Sequence, residues 1–194
     1  MSSFSELWDD IVAAFTSAPP ATPVVACPKG ALTPEAAQAW FDKFKQRSDI
    51  PWNYPNDCCY NRAHVMAQEL SKAGIDVGKE WNYATDNDHW LKVYTRDAPK
   101  GYVSWVYHVA PTVPVFTNGK LIRMVIDPSI TQGLVTPEQW REIQGQSSSE
   151  LVETNATPYV RSKAGKIALA PDVDTVQKVF DKHRLARARY WEYK

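Results

Sequence analysis

Apolar residues recur every three or four positions over 4–15, which predicts a short amphipathic helix at the start of the chain. The sequence that follows is rich in proline, alanine and threonine and is typical of a linker. We therefore assign residues 1–32 to an accessory segment and residues 33–194 to a single folded domain.

Two further segments show helical spacing. Thr33 is a good N-cap and Pro34 suits the first helical position, so a helix is predicted to begin there. A second helix pattern begins at Asp57 and stops at Gly74. The two are separated by a loop with two prolines and two asparagines, which leads directly into a pair of cysteines.

The middle of the chain changes to strand-like patterns rich in Trp, Tyr, Val and Ile. We predict strands around residues 79–84, 89–95, 102–109 and 120–126. The sequence TNGK at 117–120 predicts a hairpin turn. Thr136 and Pro137 start another short helix, residues 144–150 form a polar loop, and a last helix is expected over about 172–189. Helices, then strands, then helices predict an α+β fold.

Composition and charge exclude several classes of function. The chain has 194 residues and a formal net charge of zero, so we expect neither a nucleic acid nor a membrane surface as a partner. It has no apolar run near the ~20 residues that span a bilayer, and its N-terminus lacks the basic start of a secretory signal. We expect a cytoplasmic location, or export by a signal-independent route into a target cell.

The three cysteines are Cys27, Cys58 and Cys59. An odd number is a poor disulfide framework, and a bridge between adjacent cysteines is strained, so free thiols are expected. Zinc ligation by the adjacent pair with His64 and His89 was weighed, but the spacing matches no structural zinc pattern. We expect no metal and no cofactor.

Cys59 lies at the start of a predicted helix, where backbone N–H groups stabilise a thiolate. A buried core cysteine is the alternative. His108 comes late in one predicted strand and Asp127 at the end of the next, so two antiparallel neighbours would bring them side by side. The alternatives are a hydrogen-bonded core histidine and a turn-forming Asp-Pro pair.

Four segments resemble the bacterial protein-glutamine glutaminase family: DCCYNRAHVMAQEL from residue 57, SWVYHVAPTV from 104, VIDPSI from 125 and YVRS from 159. The resemblance implies a papain/transglutaminase-like core, with the catalytic helix packed on an antiparallel sheet and flanking helices. It also implies that Cys59 is the nucleophile, His108 the base and Asp127 the group that orients the histidine. Cys58 departs from the family pattern, which has glycine there. The interval from Cys59 to His108 is also longer than the family's, and the family's export signal and pro-segment are not seen.

The resemblance implies a protein-glutamine deamidase that releases ammonia through a thioester, with a protein bearing an exposed glutamine as substrate. A bacterial toxin or effector role is a further expectation, with an inhibitor or immunity protein as partner. The same chemistry allows a transglutaminase or a cysteine protease, and an inactive binding module is the alternative of another class. The expected oxyanion donors are the Cys59 N–H and a group in the Asn53–Asn56 loop. Arg62 and His64 are interpreted as structural.

Overall fold

A computed structural model describes residues 26–53, 56–86, 89–98 and 100–192. The predicted helix over 4–15 lies outside these residues. The described helices are α1 (Pro34–Lys45), α2 (Cys59–Lys72), α3 (Pro137–Ile143) and α4 (Val173–Glu192). The described strands are β1 (Gly78–Tyr83), β2 (Leu91–Tyr94), β3 (Tyr102–Trp105), β4 (Tyr107–Thr117), β5 (Lys120–Val125), β6 (Glu150–Asn155), β7 (Val160–Arg161) and β8 (Ile167–Ala168).

The helix boundaries follow local capping. The Thr33 side chain accepts a hydrogen bond from the Ala36 N–H at 3.2 Å, and Pro34 occupies the first position of α1, as predicted. Helix α2 starts at Cys59, two residues after the predicted start at Asp57, and Gly74 follows it with a φ of 79°. Glycine adopts this left-handed conformation without a Cβ clash, which is why the helix stops there.

A four-stranded antiparallel sheet in the order β5-β4-β1-β6 organises the molecule. Helices α1 and α2 pack against it and enclose the largest apolar cluster. Its buried members are Leu32, Ala37, Phe41, Phe44, Met66, Leu70, Ile75, Val113, Val115 and Ile126. Helix α3 places Trp140 against Ala110 and Val125. The α+β class and the packing of α2 on an antiparallel sheet are confirmed.

The predicted strand over 102–109 is wrong as a single element, because the chain leaves the ladder at Val106. Strand β3 pairs with β2, whereas β4 pairs with β1, so the chain passes from one sheet to another at this residue. The Val106 carbonyl accepts a hydrogen bond from the Ala84 N–H at 2.9 Å. The predicted hairpin turn at 117–120 is confirmed, and Asn118 and Gly119 have positive φ values of 52° and 73°.

Four stretches of strand were not predicted from the sequence: the second half of β4, and strands β6, β7 and β8. Strand β4 continues to Thr117 through Pro111 and Pro114, and prolines argue against a strand because they lack an N–H donor. Edge strand β6 is largely polar, and β7 and β8 have two residues each. A polar edge protects a sheet from pairing with other chains but removes the apolar alternation that reveals a strand.

The segment before α1 is joined to the domain. Leu32 bridges Val115 in parallel, and its N–H donates to the Pro114 carbonyl at 2.9 Å. The division at residue 32 stays a prediction, because residues 1–25 lie outside the described part of the chain. Within the described ranges, none of the helices has the length and apolar character that crossing a bilayer requires.

Candidate active site

Cys59 is the first residue of α2 and lies against the sheet. It is 5% exposed and packs with Trp81, Tyr83 and Val109. The positive end of the helix macrodipole stabilises an anion at this position, and the first turn of α2 contains no acidic residue. Cys59 therefore lies at a helix start that presents N–H donors, and no acidic side chain of that turn opposes them.

His108 and Asp127 are hydrogen-bonded inside the molecule. The Nε2 atom of His108 lies 2.8 Å from Oδ2 of Asp127, and the two residues are 1% and 3% exposed. This is the juxtaposition expected from adjacent antiparallel strands. Their catalytic roles stay predictions, since proximity also suits a structural ion pair.

Asp127 accepts further hydrogen bonds that hold its carboxylate in place. Trp140 Nε1 donates to Oδ2 at 2.9 Å, while the N–H and hydroxyl of Ser129 both donate to Oδ1. With His108 this makes four donors, which matches the acceptor capacity of an ionised carboxylate. The carboxylate therefore has a fixed orientation from which to hold the imidazole.

Each member of this pair keeps the other charged. Burial alone would raise the pKa of Asp127, but the charge and hydrogen bond of His108, together with Ser129 and Trp140, lower it to about 2. Burial alone would lower the pKa of His108, but Asp127 and Cys59 outweigh that effect and raise it to about 9. At neutral pH the site therefore contains an imidazolium paired with a carboxylate.

The second ring nitrogen of His108 is the one that can exchange a proton with a thiol. Nε2 is engaged by Asp127, whereas Nδ1 is buried and has no hydrogen-bond partner within the described ranges. After Asp127, Cys59 is the other residue that raises the pKa of His108. Nδ1 is thus the ring nitrogen left to carry and exchange a proton, while Asp127 holds Nε2 on the other side of the ring.

Two tryptophan rings fix the imidazole plane. Trp105 stacks on His108 with ring centroids 4.6 Å apart, and Trp140 stacks at 5.3 Å. Residues three apart in a continuous strand point to opposite faces, so the break at Val106 is what allows Trp105 to reach His108. The Trp105 indole also donates to the Asn56 carbonyl at 3.2 Å. This hydrogen bond joins the end of β3, just before His108, to the loop before Cys58.

Cys58 occupies a position that glycine normally fills. Its φ is 71° and its ψ is 18°, which is left-handed backbone that favours glycine. Its side chain is fully buried with Ile50 and Phe180, and burial is the main reason that the pKa of the Cys58 thiol is raised to about 11. Cys58 is therefore a packed neutral thiol beside Cys59.

Arg62 and His64 have structural surroundings, in agreement with the sequence interpretation. Arg62 is buried and its Nη1 donates to the Asp57 carbonyl at 3.0 Å, which holds the loop before α2. His64 is 8% exposed and meets the Tyr159 ring edge-on. Burial, followed by the charge of Lys79, lowers the pKa of His64 to about 4.

The two histidines and two cysteines considered as metal ligands do not form a cluster that could hold a metal ion. His89 is exposed and its Nδ1 lies 2.8 Å from Oδ1 of Asp86. In the part of the chain that the structure describes, no three His, Cys, Asp or Glu side chains are placed to hold a metal ion. All three thiols are free.

Sequence reasoning missed three side chains around His108. Trp140 and Ser129 bind Asp127, and only the short Asp-x-Ser spacing hinted at one of them. Asn82 lies directly opposite His108 in the β1–β4 register. It is fully buried, and its amide has no hydrogen-bond partner within the described ranges.

The expected oxyanion donors are described only in part. The N–H of Cys59 lies in the first turn of α2, where N–H groups lack partners within the helix. In the preceding loop, the Asn53 carbonyl accepts a hydrogen bond from Arg187 at 3.1 Å. Residues 54–55 lie outside the described ranges, so a donor from this loop stays a prediction.

Comparison with known proteins places these residues in a family. The family model described as "Glutaminase" matches residues 37–144, more than half of the chain. The matched region contains Cys59, His108, Asp127 and Trp140. A search of curated proteins found no match.

Solved structures agree with the family match. A crystal structure of protein-glutaminase is 27% identical with a TM-score of 0.69, and the match covers 81% of this chain and 91% of that one. The NMR structure of protein-glutaminase from Chryseobacterium proteolyticum is 28% identical with a TM-score of 0.67, over 80% and 89% of the two chains. A crystal structure of pro-protein-glutaminase is 26% identical with a TM-score of 0.67, over 91% and 67%. The chain belongs to the protein-glutaminase family of glutamine-deamidating hydrolases.

Proposed function

We propose that this chain deamidates glutamine side chains within protein substrates through a Cys59–His108–Asp127 triad. The observation that carries the proposal is the position of the His108 ring, with Nε2 bound to Asp127 and Nδ1 left for the Cys59 thiol. The three side chains are nearly buried, which suits a substrate group that is carried on a long, narrow side chain.

The first half of the reaction forms a thioester. The Cys59 thiolate attacks the glutamine carboxamide carbon, and the developing oxyanion is stabilised by the N–H of Cys59 at the start of α2. Protonated His108 gives its Nδ1 proton to the departing amide nitrogen, so the C–N bond breaks and ammonia leaves. Asp127 stabilises the imidazolium and holds its orientation.

The second half of the reaction releases glutamate. Neutral His108 accepts a proton at Nδ1 from a water molecule, whose oxygen attacks the thioester carbon. The C–S bond breaks, the substrate now carries a glutamate side chain, and the Nδ1 proton offsets the charge of the regenerated thiolate. Neither a metal nor a cofactor takes part in this sequence.

The test compares three forms of the enzyme on casein and on a glutamine-containing peptide. Wild type should release ammonia and raise the substrate mass by about one unit per site, while Cys59→Ala should be inactive but folded. Cys58→Gly is the matched control, because it removes the neighbouring thiol and suits the positive φ. An active Cys59→Ala would overturn the proposal. Cross-linked or cleaved products would instead indicate a transglutaminase or a protease.

We also propose, from the sequence, an effector role in a target cell with a dedicated inhibitor or immunity protein as partner. This role predicts a narrow substrate range: rapid iodoacetamide labelling of Cys59 but little ammonia from casein. Expression of wild type in the cytosol of susceptible cells should stop their growth, whereas expression of Cys59→Ala should not. Equal growth with both forms would contradict the effector role without affecting the chemistry.

A further inference from the structure

A cleft of about 760 Å³ opens beside the candidate nucleophile. One wall is formed by Tyr83, Val106 and Tyr107, and the other by the hairpin of β7 and β8. The family motif that contains Arg161 lies on this hairpin, and the proposed chemistry gives it no role.

The cleft is next to Cys59, because Tyr83 and Tyr107 also belong to the cluster that packs around that residue. Burial is the main cause that raises the pKa of both tyrosines, and a negative charge on Cys59 raises both further. A peptide whose glutamine reaches Cys59 would therefore lay its neighbouring residues in this cleft.

Positive charge dominates the cleft. Arg161, Lys163 and Lys166 line it, and the acidic residue among the lining residues is Asp86. Asp86 is already engaged by the His89 ring at 2.8–2.9 Å. The cationic side therefore has no free carboxylate opposite it among the cleft residues that the structure describes.

The three cations are held differently. The Lys163 ammonium donates to the Ala84 and Thr85 carbonyls at 2.9 Å, which attaches the hairpin to the end of β1. Arg161 donates to the Tyr83 hydroxyl at 3.2 Å, while that hydroxyl donates to the Arg161 carbonyl. Lys166 is exposed and has no side-chain partner within the described ranges, so its charge is available to a ligand.

We infer that this cleft is a subsite for acidic substrate residues, so that the enzyme prefers glutamines flanked by Asp or Glu. Lys166 contacts the substrate carboxylate directly. Arg161, on the β7–β8 hairpin, adds its positive charge from a position next to the Tyr83 hydroxyl. The aliphatic side chains of Val106 and Ile167, both substantially exposed, cover the apolar part of the same peptide. The inference rests on the proposed function, since it names the substrate class of that site.

The test uses peptides with one glutamine flanked by glutamate, serine or lysine. Wild type, Lys166→Glu and the control Lys120→Glu are compared by kcat/KM from ammonia release. Lys120 is an exposed lysine in the β4–β5 turn and does not line the cleft. Wild type should favour the glutamate peptide over the lysine peptide by about two- to fivefold, a size typical of exposed ion pairs. Lys166→Glu should abolish or reverse this ratio, and Lys120→Glu should keep it.

Salt provides an independent check, because exposed ion pairs are screened. The wild-type preference for the glutamate peptide should shrink as salt rises from 50 to 500 mM. Over this range the Debye length falls from about 14 to about 4 Å. Equal kcat/KM for all three peptides, or equal ratios in Lys166→Glu and Lys120→Glu, would overturn the subsite while leaving the deamidase intact. Absence of ammonia from every peptide and from casein would overturn both.

Discussion

At the scale of single residues, Cys58 combines two opposing demands. Its left-handed backbone favours glycine, while its fully buried side chain packs with Ile50 and Phe180. An L-residue in this conformation costs about 1–2 kcal/mol, and the buried thiol offsets part of that. At this position, burial of the side chain therefore compensates for part of the cost of the strained backbone.

This balance predicts that two substitutions of Cys58 change the free energy of unfolding by different amounts. Cys58→Gly should change the free energy of unfolding by less than about 1 kcal/mol, because relief of strain compensates for lost burial. Cys58→Val should lose at least about 2 kcal/mol, since a β-branched residue is a clear outlier at positive φ. Urea unfolding of the two variants would measure this, and equal stabilities would contradict the strain argument.

The His108–Asp127 pair predicts a pH-dependent contribution to stability. The pKa of His108 is raised to about 9, so its contribution is complete below its unfolded value near 6.5 and is lost as the pH rises through 9. The pKa of Asp127 is lowered to about 2, so its contribution is complete above about 3.9 and is lost as the pH falls through 2. The pair is thus most stabilising between about pH 4 and 6.5.

Asp127→Asn should therefore be most destabilised relative to wild type between pH 4 and 6.5, by about 3–5 kcal/mol, with a smaller difference toward pH 9. Its kcat should fall by about 10³- to 10⁴-fold, because the imidazole loses its orienting carboxylate. Urea unfolding across this pH range would measure the first effect, and ammonia release the second. The exposed Asp42→Asn is the control and should show neither; a pH-independent difference would contradict the ion pair.

At the scale of elements, α3 is short but well fixed. The Thr136 side chain accepts from the Gln139 N–H, and the Gln139 side chain accepts from the Thr136 N–H, so the helix has a full capping box. Its single buried aromatic residue, Trp140, both stacks on His108 and donates to Asp127. The element therefore supports the orientation of the pair.

Trp140→Phe should keep the stacked ring but lose the indole donor. We expect kcat to fall about 10- to 100-fold with little change in KM, since a hydrogen bond to a charged group contributes about 1.5–3 kcal/mol. The acid limb of the pH–rate profile should move to higher pH, because the pKa of Asp127 rises when a donor is removed. Trp52→Phe is the control, as its indole donates to the Phe44 carbonyl outside the site. An unchanged acid limb would indicate a purely structural role for Trp140.

The sequence predicted those parts of the molecule that local patterns determine. Thr33 and Pro34 start α1, and the TNGK turn joins β4 to β5. The strand pattern also predicted that His108 and Asp127 lie side by side, as they do. The contacts of Trp140 with His108 and Asp127, and the position of Asn82 opposite His108, depend on segments that are distant in sequence, which no local pattern contains. Strand β4 was partly missed because two prolines interrupt it, and β6 because it is polar.

At the scale of the whole molecule, the C-terminal helix closes the fold over the start of α2. The Asn61 amide donates to the Val176 carbonyl at 2.9 Å, and the Tyr159 hydroxyl donates to Asn61. Further along α4, Phe180 packs on Cys58, and Arg184 donates to the Asp49 carbonyl. Segments that are far apart in sequence thus hold the first turn of α2.

This arrangement has a consequence for the order in which the enzyme is made. Cys59 is synthesised before the residues that support the site, because Trp140 follows about 80 residues later and Val176 later still. At roughly 5–20 residues per second, a ribosome needs on the order of 4–16 s to add the first of these. A nascent chain therefore carries Cys59 for seconds before Trp140 is present to hold the His108–Asp127 pair in place. Any activity that depends on this pair therefore begins only after α3 has been synthesised and has folded against the sheet.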